Sequence, residues 1–207
     1  MRTLTFVFFA EFALLAMAGP GLTIPFRRVA VKLLLPCLLP IVLTPLLLPA
    51  VAWLLPDQPL SDVLQLQVLA LSFALAVGGL AALAGRPFPC AGPVLVTLLA
   101  LALLATPFWG DLLMGIDHDR ARAIALRGLV GVNPLFTVAH RLRFDWTHSI
   151  VLYRLTRIGE DFSYTPAPLW LQTVVSAGGG LLAALVAGLV RPRGAAGDYL
   201  VADDAFC

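Results

Sequence analysis

The chain is poor in charge. Of its 207 residues only 13% are Asp, Glu, Lys or Arg, about half the roughly 25% of a soluble domain. With 60% of the residues hydrophobic, too little polar surface remains to coat a water-exposed core. An ordinary soluble enzyme, a disordered tail and a basic nucleic-acid arm are thereby excluded. The net charge of +2 calls for no polyanionic partner, and no nucleic acid is expected. The three cysteines, Cys37, Cys90 and Cys207, cannot build a disulfide framework. Cys37 and Cys90 have no metal-ligand neighbours, and Cys207 is not placed for prenylation. There is no Gly-rich phosphate loop, no serine elbow and no paired cysteine, so no nucleotide or redox cofactor is expected.

Long apolar runs fill the space that charge leaves. A helix needs roughly 20 apolar residues to cross about 30 Å of hydrocarbon. Five stretches meet this, at about 3–24, 29–55, 63–84, 91–109 and 168–190. The expected fold is therefore all-α: a polytopic membrane helix bundle of about five transmembrane helices. Its parts are a four-helix membrane section (1–109), a polar and amphipathic section (110–167), a final span (168–193) and a short acidic tail (194–207). Arg2 and Ala16-Met17-Ala18 resemble a cleavable signal. Glu11 within the run and Arg27, Arg28 and Lys32 beyond it favour a retained first span.

The polar section holds seven arginines, six acids and all three histidines. Asn133-Pro134 signals a break within it. The apolar and arginine-bearing stretches on either side read as helices lying at the membrane surface, with a re-entrant segment at 123–139 as the alternative. Loop charge sets the orientation. Arg27, Arg28 and Lys32, then Arg86, then Arg191 and Arg193 mark cytoplasmic segments. The N-terminus, the Asp57/Asp62 loop and the polar section fall outside, and the C-terminus inside. Thirteen arginines against one lysine suggest a GC-rich bacterial genome, hence a bacterial cytoplasmic (inner) membrane.

Membrane helices pack closely where small residues let their backbones approach. Two such stripes recur every four residues: Ala70, Ala74, Gly78 and Ala82, then Ser176, Gly180, Ala184 and Gly188. Each is expected to meet another helix, within the chain or in a partner. The second span instead carries Pro36, Pro40, Pro45 and Pro49. Each proline removes a helical hydrogen bond, and in lipid the freed carbonyl must find another partner. These prolines are hinge candidates in a kinked span, set against a plain proline-tolerant anchor.

Glu11 is the ionisable residue placed well inside a span, a functional-site hypothesis by default. It would carry a proton, bind a cation or hydrogen-bond a neighbouring helix. Asp117, His118 and Asp119, with His140 and His148, are the metal-ligand candidates. Adjacent residues point different ways on a helix, so an interfacial loop with local Asp–Arg pairing is the better reading. Taken together, the sequence favours a non-catalytic integral subunit or accessory protein of a larger bacterial membrane complex. Its partners would be the lipid bilayer and other membrane subunits, or copies of itself. A transporter or permease component comes second and a membrane-embedded metal-dependent enzyme third.

Overall fold

The computed structural model describes residues 2–22, 29–54, 59–88, 91–106, 119–144 and 167–190. Among the described residues all regular structure is helical. The elements are α1 (Arg2–Leu22), α2 (Val29–Leu34), a 3-10 turn (Leu35–Cys37), α3 (Leu38–Leu54), α4 (Leu60–Ala84), α5 (Ala91–Leu104), α6 (Asp119–Val132), α7 (Pro134–Arg141) and α8 (Leu169–Leu189). Three helical stretches are long and apolar enough to cross a membrane: Val29–Trp53, Leu60–Ala84 and Leu169–Leu189.

Among the described residues three of the about five expected stretches meet this measure, and length sets the other two apart. The apolar part of α1 runs only Leu4–Pro20, ending at Gly19-Pro20, and α5 has 14 residues. At 1.5 Å per residue α5 spans about 21 Å, short of about 30 Å of hydrocarbon. Residues 107–110, which the sequence reading assigned to the end of that span and the start of the polar section, lie outside the described residues.

Helix α4 is the axle. It touches α1, α2, α3, α5, α7 and α8, and 67% of its most apolar stretch is buried. The core gathers where α1 and α7 meet it. Phe8, Phe12 and Leu15 of α1 pack with Val63, Leu66, Leu69 and Phe73 of α4 and with Phe136 and Val138 of α7. Phe12 and Phe73 stack edge to face with centroids 5.3 Å apart, the geometry that a ring's quadrupole favours.

Small residues govern the crossings. Ala70, Ala74, Gly78 and Ala82 are all buried. A Cβ on Gly79 would strike the Gly180 backbone, with Cα at 2.9 Å, and one on Gly180 would stand 2.7 Å from Cα of Ala76. The backbones of α4 and α8 therefore meet directly. On α8 Gly180 and Ala184 are buried, Ser176 is half-buried and Gly188 is exposed. The four-residue step explains the departure of Gly188. Twelve residues at about 100° each leave the two ends of the stripe about 120° apart. The face that α8 turns inward is Gly180, Ala183, Ala184 and Ala187, whose three- and four-residue steps hold one side.

Proline shapes the second span. The 3-10 turn interrupts it at Pro36, and both Pro36 and Pro40 are buried, whereas Pro45 and Pro49 lie exposed within α3. Pro36 denies the Lys32 carbonyl its helical donor. That oxygen lies 2.8 Å from where a Cβ on Gly78 would stand, and the Leu33 carbonyl oxygen 3.0 Å. Glycine at 78 thus admits the broken segment against α4. Cys37 Sγ donates to the Leu33 carbonyl at 3.5 Å, and Thr44 Oγ1 to the Pro40 carbonyl at 2.6 Å.

Candidate functional site: a buried acid and amide beneath a polar cap

Several described segments meet at one end of the bundle. Asn133 begins α7 in extended conformation, and its Oδ1 accepts the Leu135 N–H at 2.9 Å while Pro134 occupies the first helical position. That is the favoured chemistry of a helix start. The Asn133 amide also donates to the Leu103 carbonyl at 2.8 Å, satisfying one of the orphan acceptors at the end of α5. Gln172 of α8 donates to the carbonyl of Gly131 in α6. Arg141, in the last turn of α7, binds Asp62 Oδ1 through Nε at 3.0 Å and donates through Nη2 to Gln65. Asp62 sits in the first turn of α4, where the helix dipole favours an anion.

A tight chain reversal closes α7. Phe144 N–H bonds the Ala139 carbonyl at 2.8 Å and Arg143 N–H the His140 carbonyl at 3.1 Å. This pair of bonds wants a left-handed residue, usually glycine, and Arg143 fills the position at φ 52°. The reversal delivers Phe144 to Phe6 of α1, ring centroids 6.0 Å apart. The opposite end of α4 is basic. Lys32 is buried, and its Nζ lies 3.3 Å from where a Cβ on Gly85 would stand. The ammonium thus sits at the negative end of the α4 dipole, on the helix end that also leads into Arg86.

Below the cap lies Glu11, 1% exposed. Its Oε2 accepts a hydrogen bond from Nε2 of Gln67, 3.1 Å away and itself buried. Five residues separate Gln67 from Asp62, which places the pair about 7.5 Å beneath the cap. Both remaining oxygens, Glu11 Oε1 and Gln67 Oε1, are buried without a hydrogen-bond partner. Such groups are scarce in folded proteins and each needs an explanation.

The metal candidates are not brought together among the described residues. Asp117, His118 and His148 lie outside them. Asp119 is the first residue of α6, and His140 is exposed on α7. Among the described residues no group of three His, Cys, Asp or Glu side chains stands close enough to hold a metal. Pro134 to Ala139 are all buried, so α7 is packed into the bundle end. Ile124 and Val132 of α6 are exposed beside Arg120 and Arg127, which leaves that helix with an amphipathic outer surface.

Sequence reasoning found Glu11 but missed Gln67, Gln65 and Gln172. The available signal was a glutamine inside an apolar run, since amides are scarce there unless partnered. Comparison with protein-family models, curated proteins and solved structures gives no match.

Proposed function

We propose that this chain is a non-catalytic integral subunit or accessory protein of a larger complex in the bacterial cytoplasmic membrane. The observation that carries the reading lies on α8. Apart from the neighbouring residues and backbone of α8 itself, no atom of the described residues comes within 4 Å of where a Cβ would stand at Gly178, Gly179 or Gly188. Gly178 and Gly179 are exposed among Val174, Val175, Leu181 and Leu182. A notch of glycine in an apolar surface lets a second membrane helix come close, whereas lipid has no need of one. In this reading α1 and α5 complete a five-pass arrangement as shorter membrane helices packed on α4. The capped end and the N-terminus face outward, and the end bearing Lys32 and Arg86 faces the cytoplasm, as the positive-inside rule favours.

Copurification tests this. The intact chain extracted from bacterial membranes in mild detergent should retain a partner chain or a second copy. Gly178→Leu and Gly179→Leu should release it while leaving the chain itself folded, because a side chain at either position enters open space. Retention of the partner by both variants, or a wild-type chain that runs as a lone monomer, would overturn the reading. A second reading, a transporter or permease component, draws on the proline-broken second span and the buried Glu11. Flux of a solute or ion into proteoliposomes that Glu11→Gln abolishes would favour it over the first.

A further inference from the structure

We infer that Glu11 and Gln67 form a proton-binding site: a reciprocal acid–amide pair in which Glu11 Oε1 carries the proton and donates it to Gln67 Oε1. The inference goes beyond the subunit reading and holds whether or not the chain has a partner. It starts from a count of donors. Gln67 Nε2 donates to Glu11 Oε2 at 3.1 Å, and the two oxygens left over, one on each side chain, are both buried acceptors without a donor. A carboxylate has no hydrogen to offer, so an ionised Glu11 leaves both oxygens unsatisfied. A single proton on Oε1 turns one of them into a donor for the other and completes a closed two-bond ring. Carboxylic acid and primary amide match each other in this way because each presents one donor and one acceptor on the same side.

Neither leftover oxygen has a hydrogen-bond partner, and several polar or charged groups are engaged or placed elsewhere. Arg141 is engaged by Asp62 and Gln65 at the cap. Lys32 stands beside Gly85, eighteen residues along α4 from Gln67 and therefore about 27 Å away along its axis. Cys37 donates its Sγ–H to the Leu33 carbonyl. His140, on α7, is exposed. The nearer neighbours of Glu11 are apolar: Phe8, Phe12 and Leu15 on its own helix, and Leu66 and Leu69 flanking Gln67. An isolated ionised carboxylate in such a place is far more expensive than a neutral acid with both hydrogen bonds made.

Infrared difference spectroscopy of the full chain in liposomes at neutral pH, wild type minus Glu11→Gln, reads the proton directly. The expected result is a protonated-carboxyl stretch that shifts in deuterium oxide and is missing from Glu11→Gln. A carboxylate pair of bands in its place would overturn the inference. Thermal inactivation in detergent, read as loss of folded, monodisperse protein with time, gives an independent check. Glu11→Gln keeps a reciprocal amide–amide pair and should inactivate at the wild-type rate. Gln67→Leu and Glu11→Leu each strand buried polar atoms and should inactivate about tenfold faster or more. Removing both groups, in Glu11→Leu with Gln67→Leu, should recover most of that loss. Glu11→Gln inactivating as fast as Glu11→Leu would mean that the charge itself is required, and would likewise overturn it.

Discussion

The second span and α4 are two apolar stretches of 25 residues each, yet 22% of the first and 67% of the second is buried in its most apolar part. Hydropathy therefore does not decide which span sits at the centre. What differs is the material between the leucines. The second span carries prolines and large side chains, and Leu46 and Trp53 stand exposed. Helix α4 carries Gln67, Ser72, Ala70, Ala74, Gly78 and Gly79, all buried. In lipid a leucine gains nothing by meeting another leucine. Close backbone approach and polar pairing hold helices together instead. The centre of this bundle is accordingly the helix with the small and amide residues.

The comparison breaks most visibly at the glycines of the α4–α8 crossing. Gly79→Leu and Gly180→Leu each drive a side chain into opposing backbone, and neither helix can yield without separating. Loss of folded protein in a detergent-stability assay is expected for both, well beyond the roughly 1–3 kcal/mol of ordinary overpacking. Gly178→Leu, two residues from Gly180 and facing outward, should leave stability unchanged. Equal effects at positions 178 and 180 would mean that the crossing is misplaced.

Smaller changes sharpen the contrast at the cap. Arg143 is held at φ 52°, a conformation that costs a non-glycine residue about 1–2 kcal/mol. Arg143→Gly should stabilise the chain by about 1 kcal/mol, read as a raised unfolding midpoint. A drop would show that the arginine side chain has a compensating partner. The Arg141–Asp62 pair is 41% and 18% exposed, and an ion pair near solvent contributes about 0–1 kcal/mol. Arg141→Ala should therefore lower stability only slightly, and less so in high salt.

Much of the fold could be read from the chain because its signals are local. Long apolar runs give helices, Pro36 interrupts one of them, and Asn133-Pro134 opens another. The crossings were less legible. Gly188 shares a four-residue spacing with Gly180, but helical drift carries it off the face, and Gly79, one position off the α4 stripe, is where α8 makes backbone contact. The Glu11 site was half legible. A carboxylate in an apolar run stands out, whereas its partner Gln67 is 56 residues away and nothing local links the two. The burial of α7 was hidden for the same reason, since it comes from packing against α1 and α4, which lie far away in the chain.

Lipid contact, residue by residue, tests the enclosed axle most directly. The chain would be reconstituted in liposomes whose acyl chains carry a photoactivatable carbene source, and the adducts mapped by mass spectrometry. Adducts are expected on Leu46 of α3 and on Leu182 and Leu185 of α8, with Leu66, Leu69 and Val77 of α4 spared. Labelling of those three α4 positions at the same level as Leu185, or no acyl-chain labelling anywhere, would contradict a helix bundle wrapped around α4 within the bilayer.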